Sequence, residues 1–385
     1  MKFYRIDDLP PYVFATVDQL KRDLRRQGHD VVDLGFGNPD LPSPAIAVEK
    51  LREAALRPAN HRYSASRGIE QLRRAVSEHY ARAFGVALDP DTQVVSTIGA
   101  KEGLAHLLWV LAASGDNVVV PTPAYPIHRV APRLAGATVV DAPSEGGVDA
   151  IAAAVEATHP RVVIVSFPHN PTTAVATAAD MQRLVDLAHE HDFVLVHDFA
   201  YADIAFDGHE PPSVLAAEGA GDCAVELYSL TKSFSMAGWR VGFVVGCAQV
   251  VAALAKPKSY LDYGTFQPIQ IAATVTLREA VDYPAELCAV YRSRRDALCA
   301  GLARAGWHVE PPLGTMFVWA PLPEQLRALG SLEAAVRLAR DAGVAVSPGV
   351  GFGAGGEGHV RFALVENEQR IGQATRGIRK LLHQH

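Results

Sequence analysis

One short segment, Ser229-Leu230-Thr231-Lys232-Ser233-Phe234-Ser235-Met236-Ala237-Gly238-Trp239-Arg240, places a lysine, a serine and an arginine close together. A lysine amine is nucleophilic only when neutral, a form that burial or a neighbouring cation favours. Such an amine can form a Schiff base with a carbonyl compound. Ser229 and Arg240 can hold a phosphate, the arginine through its planar fork. A ligand that carries both a carbonyl and a phosphate answers all three residues, and pyridoxal 5′-phosphate (PLP) is one. The plain alternative is a surface lysine beside a solvated arginine, and the rest of the chain has to decide between them.

The elements around the segment favour the first reading. The run Ala224–Tyr228 reads as a strand before it, and Val241–Val245 as a strand after it. From about Asp91 the chain alternates short β-rich runs with helical patterns. These runs include Val94–Ser96, Val118–Val120, Val139–Val140, Val162–Val165 and Phe193–Val196. That texture predicts a mostly parallel α/β sheet, in which ligands sit at the C-terminal ends of strands. The candidate motifs fall at those ends. Gly99-Ala100-Lys101 follows a strand and opens a helix, so its N–H groups can meet an anion. Asn170-Pro171 follows Val162–Val165, Asp198 ends Phe193–Val196, and Ser229 ends Ala224–Tyr228.

Upstream, Leu9–Phe14 (Leu-Pro-Pro-Tyr-Val-Phe) predicts a stiff arm, because proline fixes φ and removes a donor. A helix over Thr16–Gln27, a short run Val31–Leu34 and the turn Gly35-Phe36-Gly37-Asn38-Pro39-Asp40 follow. Tyr63–Gly68 is a polar loop ahead of a helix carrying Leu72, Val76 and Tyr80. Downstream, a long helix over Tyr283–Ala305 leads into α+β texture. Strands are expected at Trp307–Glu310, Met316–Trp319, Val344–Ser347 and His359–Phe362. Helices are expected at Ser331–Ala342 and Glu366–Leu382. The resulting division is an arm and small-domain segment over 1–44, a large domain over 45–285 and a small C-terminal domain over 286–385. Gly351–Gly356 matches GxGxxG, but a strand-like run follows it, not a helix, so a nicotinamide site is rejected.

The chain's 385 residues, nearly half of them apolar, suffice for a large and a small domain. A net charge of -6 offers no basic face for nucleic acid. Cys223, Cys247, Cys288 and Cys299 lie far apart without a Cys/His cluster, so no metal is expected and a reducing, cytoplasmic setting is. No apolar run approaches the ~20 residues of a membrane span.

The ordered set Tyr63, Gly99-Ala100-Lys101, Tyr125, Asn170-Pro171, Asp198-Phe199-Ala200-Tyr201, Ser229-x-x-Lys232, Arg240 and Arg361 resembles the fold-type I, class I/II aminotransferases over nearly the whole chain. Within them, several stretches resemble the bacterial alanine (glutamate–pyruvate) branch. These are Leu9–Phe14, Tyr63–Gly68, Ala100–His106, His197–Asp203 and Val360–Asn367. The resemblance implies an α/β fold-type I PLP-dependent transferase with a mostly parallel central sheet and a smaller α+β domain. It also implies a homodimer with shared active sites and ping-pong transfer of an amino group between an amino acid and a 2-oxo acid.

By the same resemblance, Lys232 carries the Schiff base and then shuttles a proton. Asp198 pairs with the pyridine nitrogen. Asn170 and Tyr201 bond the ring oxygen, and Tyr125 stacks on the ring face. The phosphate meets the N–H groups of Ala100 and Lys101, with Ser229 and Arg240, and Tyr63 reaches it from the other subunit. Arg361 binds the substrate α-carboxylate, and Gly37 lines that side. Lys101 and the arm residue Tyr12 are the candidates for a distal carboxylate. His169 and His197 flank motif residues and are read as structural. Two departures bear on local shape. Thr173 follows Asn170-Pro171-Thr172 where the family often has glycine, and Pro257 interrupts a helical pattern. The same scaffold also admits β- or γ-elimination or replacement, and a non-catalytic binding role is the third reading.

Overall fold

The structure is a computed structural model and describes residues 6, 7, 9 and 13–383. Tyr12 and most of the expected arm lie outside the described residues. Strand β1 (Val32–Asp33) belongs to a small sheet taken up below. The next seven are β2 (Val94–Thr97), β3 (Asn117–Thr122), β4 (Thr138–Pro143), β5 (Val162–Val165), β6 (Val194–Asp198), β7 (Ala224–Ser229) and β8 (Gly242–Gly246). They form one sheet in the order β2-β8-β7-β6-β5-β3-β4, parallel except for β8, which runs antiparallel to both neighbours.

The valine-rich runs behave as strands buried on both faces should, as near-continuous apolar stretches with no polar alternation. Val118–Val120 and Val162–Val165 are almost completely buried. Helix Ala100–Leu111 sets Leu104, Leu107 and Leu108 against one face, beside Val250, Val251 and Leu254 of helix Ala248–Leu261. Helices Gly147–Thr158 and Ala178–His191 set Ile151, Val155, Leu184 and Val185 against the other. The i, i+3, i+4 spacing of these residues explains why each helix buries one stripe.

The C-terminal strands are β9 (Phe317–Pro321), β10 (Val344–Ala345), β11 (Ser347–Pro348) and β12 (His359–Ala363). β12 pairs antiparallel with both β11 and β9, and β10 pairs parallel with β1. A separate core gathers Val17 and Leu24 of helix Phe14–Arg26, Leu298 and Leu302 of helix Tyr283–Arg304, Leu338 of helix Gly330–Asp341, and Ile371 and Ile378 of helix Glu368–Leu382. Among the described residues, no helix is long and apolar enough to cross a membrane.

Two expectations need correction. Trp307–Glu310 is not a strand. The Trp307 ring is buried in the core, its Nε1 donates to Pro321 O at 2.7 Å, and Pro311 and Pro312 then remove the next two donors. Pro257 does not break its helix, which runs from Ala248 to Leu261 with the proline inside. The Gly351–Gly356 stretch lies in two short 3-10 turns, Gly349–Phe352 and Ala354–Gly356, and β12 follows, as the rejection of a dinucleotide site requires.

Candidate active site

A cleft of about 870 Å³ opens at the C-terminal ends of β5, β6 and β7, between the large sheet and the β9–β12 unit. Topology puts chemistry there. Asp198 is the last residue of β6 and Ser229 the last of β7, so the parallel register delivers both to one edge. Lys232 follows on the four-residue helix Leu230–Ser233, whose N-cap is Ser229. The Ser229 hydroxyl accepts from Thr231 N at 3.2 Å and lies 2.9 Å from Thr231 Oγ1, so it fixes the turn as well as facing the cleft.

The Lys232 ammonium donates to Gly37 O at 2.7 Å, which places the Gly35–Asp40 turn over the lysine. Burial first, and then repulsion from Arg361, Lys101 and Arg240, lower its pKa from an ordinary 10.5 to about 7. The amine is therefore expected to react with a neutral-amine-selective electrophile at a rate that rises through about pH 7 and levels off above it. Below that pH it is protonated and inert. Site-resolved mass spectrometry on ligand-free protein across pH 5 to 10 checks this. A rate still climbing near 10 would contradict it.

Asp198 is buried, and His128 Nε2 donates to its Oδ2 at 2.8 Å, since an ionised carboxylate can only accept. Among the described residues its other oxygen, Oδ1, is buried without a partner. An orphaned carboxylate oxygen aimed into a cleft is costly unless a ligand donates to it. The imidazole of His169, near His128 and Asp198, is pushed down to about 3 by burial first and by His128 second. Its Nδ1 lies 2.6 Å from Thr172 Oγ1, so it acts as a neutral brace behind the site. His197 is spent in the same structural way on Glu226, Nδ1 to Oε1 at 3.0 Å.

Arg361, in β12, is buried and ordered on every side. Its Nη1 donates to Asn170 Oδ1 at 2.6 Å, and its Nη2 to Gly35 O at 3.3 Å and Ser347 Oγ at 3.4 Å. The guanidinium lies over the Phe317 and Phe352 rings, 3.9 and 4.7 Å from their centroids, a cation–π arrangement that keeps the fork planar to the cleft. Asn170 Nδ2 in turn donates to Tyr201 Oη at 3.4 Å. Burial raises the Tyr201 hydroxyl far above its ordinary value, which keeps it a donor at every working pH. Thr173 beside this loop adopts φ +63°, a left-handed conformation that glycine holds without strain and a β-branched residue does not.

The remaining site residues from the sequence divide clearly. Ala100 and Lys101 open helix Ala100–Leu111 after Gly99, whose φ is +81°. A Cβ on Gly99 would collide with the Arg240 guanidinium, so the glycine lets Arg240 lie against the helix start. Arg240 Nη1 donates to Ala237 O at 2.9 Å. Tyr125 lines the cleft, with the Lys101 ammonium 5.0 Å from its ring centroid. Tyr63 does not join its own chain's cleft. It is 86% exposed and packs on Tyr263, with ring centroids 4.8 Å apart. Sequence reasoning missed His128, Thr231, Ser347, Phe317 and Phe352. Only His128 had a signal, lying one helical turn beyond Tyr125 and so on the same face. It also missed the wall formed by helix Phe14–Arg26, where Lys21 pairs with Asp18 at 2.7 Å and Asp33 at 2.6 Å.

Residues 29–377 match the family described as aminotransferase class I and II. The chain is 48% identical to the glutamate-pyruvate aminotransferase AlaC of Escherichia coli (strain K12), over 99% of this chain and 93% of that protein. It is 42% identical to the LL-diaminopimelate aminotransferase of Desulforudis audaxviator (strain MP104C), over 98% and 97% of the two. A solved structure of substrate-bound BacF from Bacillus subtilis superposes with a TM-score of 0.92 at 35% identity, covering 99% of this chain and 98% of that one. Similarity of this extent spans the sheet, the β9–β12 unit and the cleft they share, and it agrees with the lysine, carboxylate and arginine found there: the chain belongs to the class I and II aminotransferases and moves amino groups between amino acids and 2-oxo acids.

Proposed function

We propose that the chain is a PLP-dependent transaminase that works by a ping-pong cycle, with L-alanine/pyruvate and L-glutamate/2-oxoglutarate as its substrate pairs. The observation that carries the reading is one cleft holding an amine whose pKa is lowered to about 7 together with a buried Asp198 oxygen that has no partner among the described residues. The donor set fits the cofactor. Lys232 suits an aldehyde, Asp198 Oδ1 suits a ring N–H, and the amides of Ala100 and Lys101 with Ser229 and Arg240 suit a phosphate. Bound there, PLP would supply the carbonyl that receives the amino group and a ring that withdraws electrons from the substrate.

The chain's own groups do the rest. Lys232 Nζ takes a proton from the substrate Cα and returns it to the carbon that receives the nitrogen. Asp198 keeps its ring partner protonated and is held in place by His128. Asn170 and Tyr201 present donors to the ring oxygen, and Tyr125 covers the ring face. Arg361 takes the α-carboxylate through both Nη atoms. Lys101 stands at the cleft edge as the candidate for a distal carboxylate. The alanine/glutamate pair draws its support from the relative of that name and from the branch motifs.

The same reading includes a homodimer in which Tyr63 completes the phosphate site of a second copy. Its support is the exposure of Tyr63 together with Tyr263 and Phe266 around one shallow surface pocket. The same reading keeps the divisions 1–44, 45–285 and 286–385; their support is the core that joins Val17, Leu298, Leu338 and Ile371, on which Tyr201, Ile204 and Phe206 of the large part also pack. Four mutually unpaired cysteines suit the cytoplasm.

A half-reaction test decides the chemistry. PLP-loaded enzyme is mixed with single amino acids in the absence of any 2-oxo acid. Alanine and glutamate are expected to yield pyridoxamine phosphate and their oxo acids in equal amount. Ammonia or a lost side-chain group without pyridoxamine phosphate would overturn transamination. A response confined to LL-diaminopimelate would overturn the substrate pair alone.

A further inference from the structure

Lys258 has no exposed side-chain surface, an unusual position for a lysine. Its ammonium sits between two carboxylates, 3.3 Å from Glu102 Oε1 and 3.2 and 3.1 Å from Asp262 Oδ1 and Oδ2. Glu102, His106 and Asp262 bring donor atoms of metal-ligand type within 4.8 Å of one another. Lys258 already supplies a cation bonded to both carboxylates, so the cluster reads as an ion triad and not as a metal centre.

What the triad is attached to gives it meaning. Glu102 lies in the first turn of helix Ala100–Leu111, and its Oε2 accepts from Ile98 N at 2.7 Å, immediately before Gly99. That bond fixes the turn whose following amides, Ala100 and Lys101, face the cleft. Asp262 ends helix Ala248–Leu261, and its Oδ1 accepts from Gly264 N at 2.7 Å. Gly264 has φ +77°, and a Cβ there would come to 3.0 Å of Ala65 O, so the loop lies directly on the segment that carries Tyr63. Thr265 Oγ1 donates to Arg240 O at 3.5 Å. Gln270 Nε2 ties Thr265 O at 2.6 Å to Ser64 Oγ at 2.9 Å. One buried charge thus holds together the helix start, the arginine and the tyrosine segment.

We propose that Lys258, acting through Glu102 and Asp262, is the positioning residue for the phosphate end of the site, setting the Ala100–Lys101 amides, Arg240 and the Tyr63 segment in one arrangement. The inference rests on the reading that the cleft takes PLP. The physical reason is charge balance. Without the ammonium, Glu102 keeps the His106 ring, whose Nδ1 lies 2.5 Å from its Oε1, while Asp262, half-buried, loses its cation, and the cheapest relief is for Asp262 to swing away with the loop it anchors. Lys232 and Asp198 make no hydrogen bond to the triad, so their carbonyl and ring contacts keep their partners, and a moved Lys101 or Arg240 reaches Lys232 only through its pKa.

The two cofactor ends can be read separately. Binding constants of PLP and of pyridoxal, which lacks only the phosphate, are measured by fluorescence titration for wild type, Lys258→Met and Asp262→Asn. The expected result is a loss of about tenfold or more in PLP affinity for Lys258→Met. Pyridoxal affinity should remain within about twofold of wild type, since the triad does not touch that end. Asp262→Asn should move the same way, and it decides the matter if the methionine variant does not fold, because it keeps the shape of the side chain. Equal losses for both ligands, or unchanged affinities with only a lower melting temperature, would reduce the triad to a structural brace and overturn the proposal. If wild type itself prefers PLP to pyridoxal by no margin, the phosphate site and the proposed function both fall, and that outcome is visible without any variant.

Discussion

Lys232→Ala is expected to lose about 10⁴-fold or more of turnover while retaining much of its affinity for PLP. The two effects separate because the structure separates their causes. On the proposed reading, phosphate affinity would come from the Ala100–Lys101 amides, Ser229 and Arg240, whose hydrogen bonds go to groups other than Lys232. Turnover needs an amine that is neutral at working pH, and Lys232 is the amine whose burial and three neighbouring cations bring it to about 7. An alanine leaves space where Nζ had donated to Gly37 O. A small primary amine in solution is therefore expected to restore part of the rate, with more recovery above the pKa of the added amine, where more of it is neutral. Lys232→Arg should not recover, because a guanidinium stays protonated and cannot take a proton. The measurement is single-turnover conversion of bound cofactor with alanine, with and without added amine. A variant within about tenfold of wild type would sink the assigned role.

How much of this was legible beforehand follows from the kind of signal each residue carries. Asp198, Asn170, Ser229 and Lys232 could be read because a parallel sheet delivers strand ends to one edge, and strand ends can be found from short apolar runs. Arg361 was reached through its resemblance to the family, and the structure shows why it has to be arginine: both Nη atoms are engaged and two rings flank the plane. His128 carried only its place one helical turn beyond Tyr125; its partner Asp198 lies 70 residues away, and no local pattern records that contact. Lys258 was concealed for the opposite reason. Lys256-Pro257-Lys258 looks like a solvated, broken helix end, yet the helix continues and its second lysine is the buried one. Trp307–Glu310 has the alternation of a strand, but the indole was taken by the core and the following prolines left nothing to pair. The misses at His128 and Trp307 concern distant partners, which only the folded chain supplies.

Arg361→Leu is expected to lower kcat/KM for α-amino acids by about 10³-fold, which corresponds to about 4 kcal/mol. Two charge-assisted hydrogen bonds from a buried guanidinium to a carboxylate are worth that much, and leucine offers neither. The loss should appear first in KM, since the carboxylate is held in the bound substrate as well as at the summit of the reaction. Arg361→Lys should lie between, because it keeps the charge but not the fork, and cannot at once reach Asn170 Oδ1, Gly35 O and the substrate. A structural explanation competes: without the guanidinium, Asn170 Oδ1 loses its donor, and the Asn170–Tyr201 pair can shift. The two explanations part on a substrate that has an amino group but no carboxylate. If Arg361 reads the carboxylate, the wild type prefers alanine strongly over ethylamine, and Arg361→Leu loses that preference while its slow reaction with ethylamine is unchanged. If the damage lies in Asn170 and Tyr201 instead, both substrates slow together and the preference survives. Paired kcat/KM values for the two compounds, taken on wild type, Arg361→Lys and Arg361→Leu, therefore tell whether β12 carries the substrate's anchor or only the brace for the loop behind it.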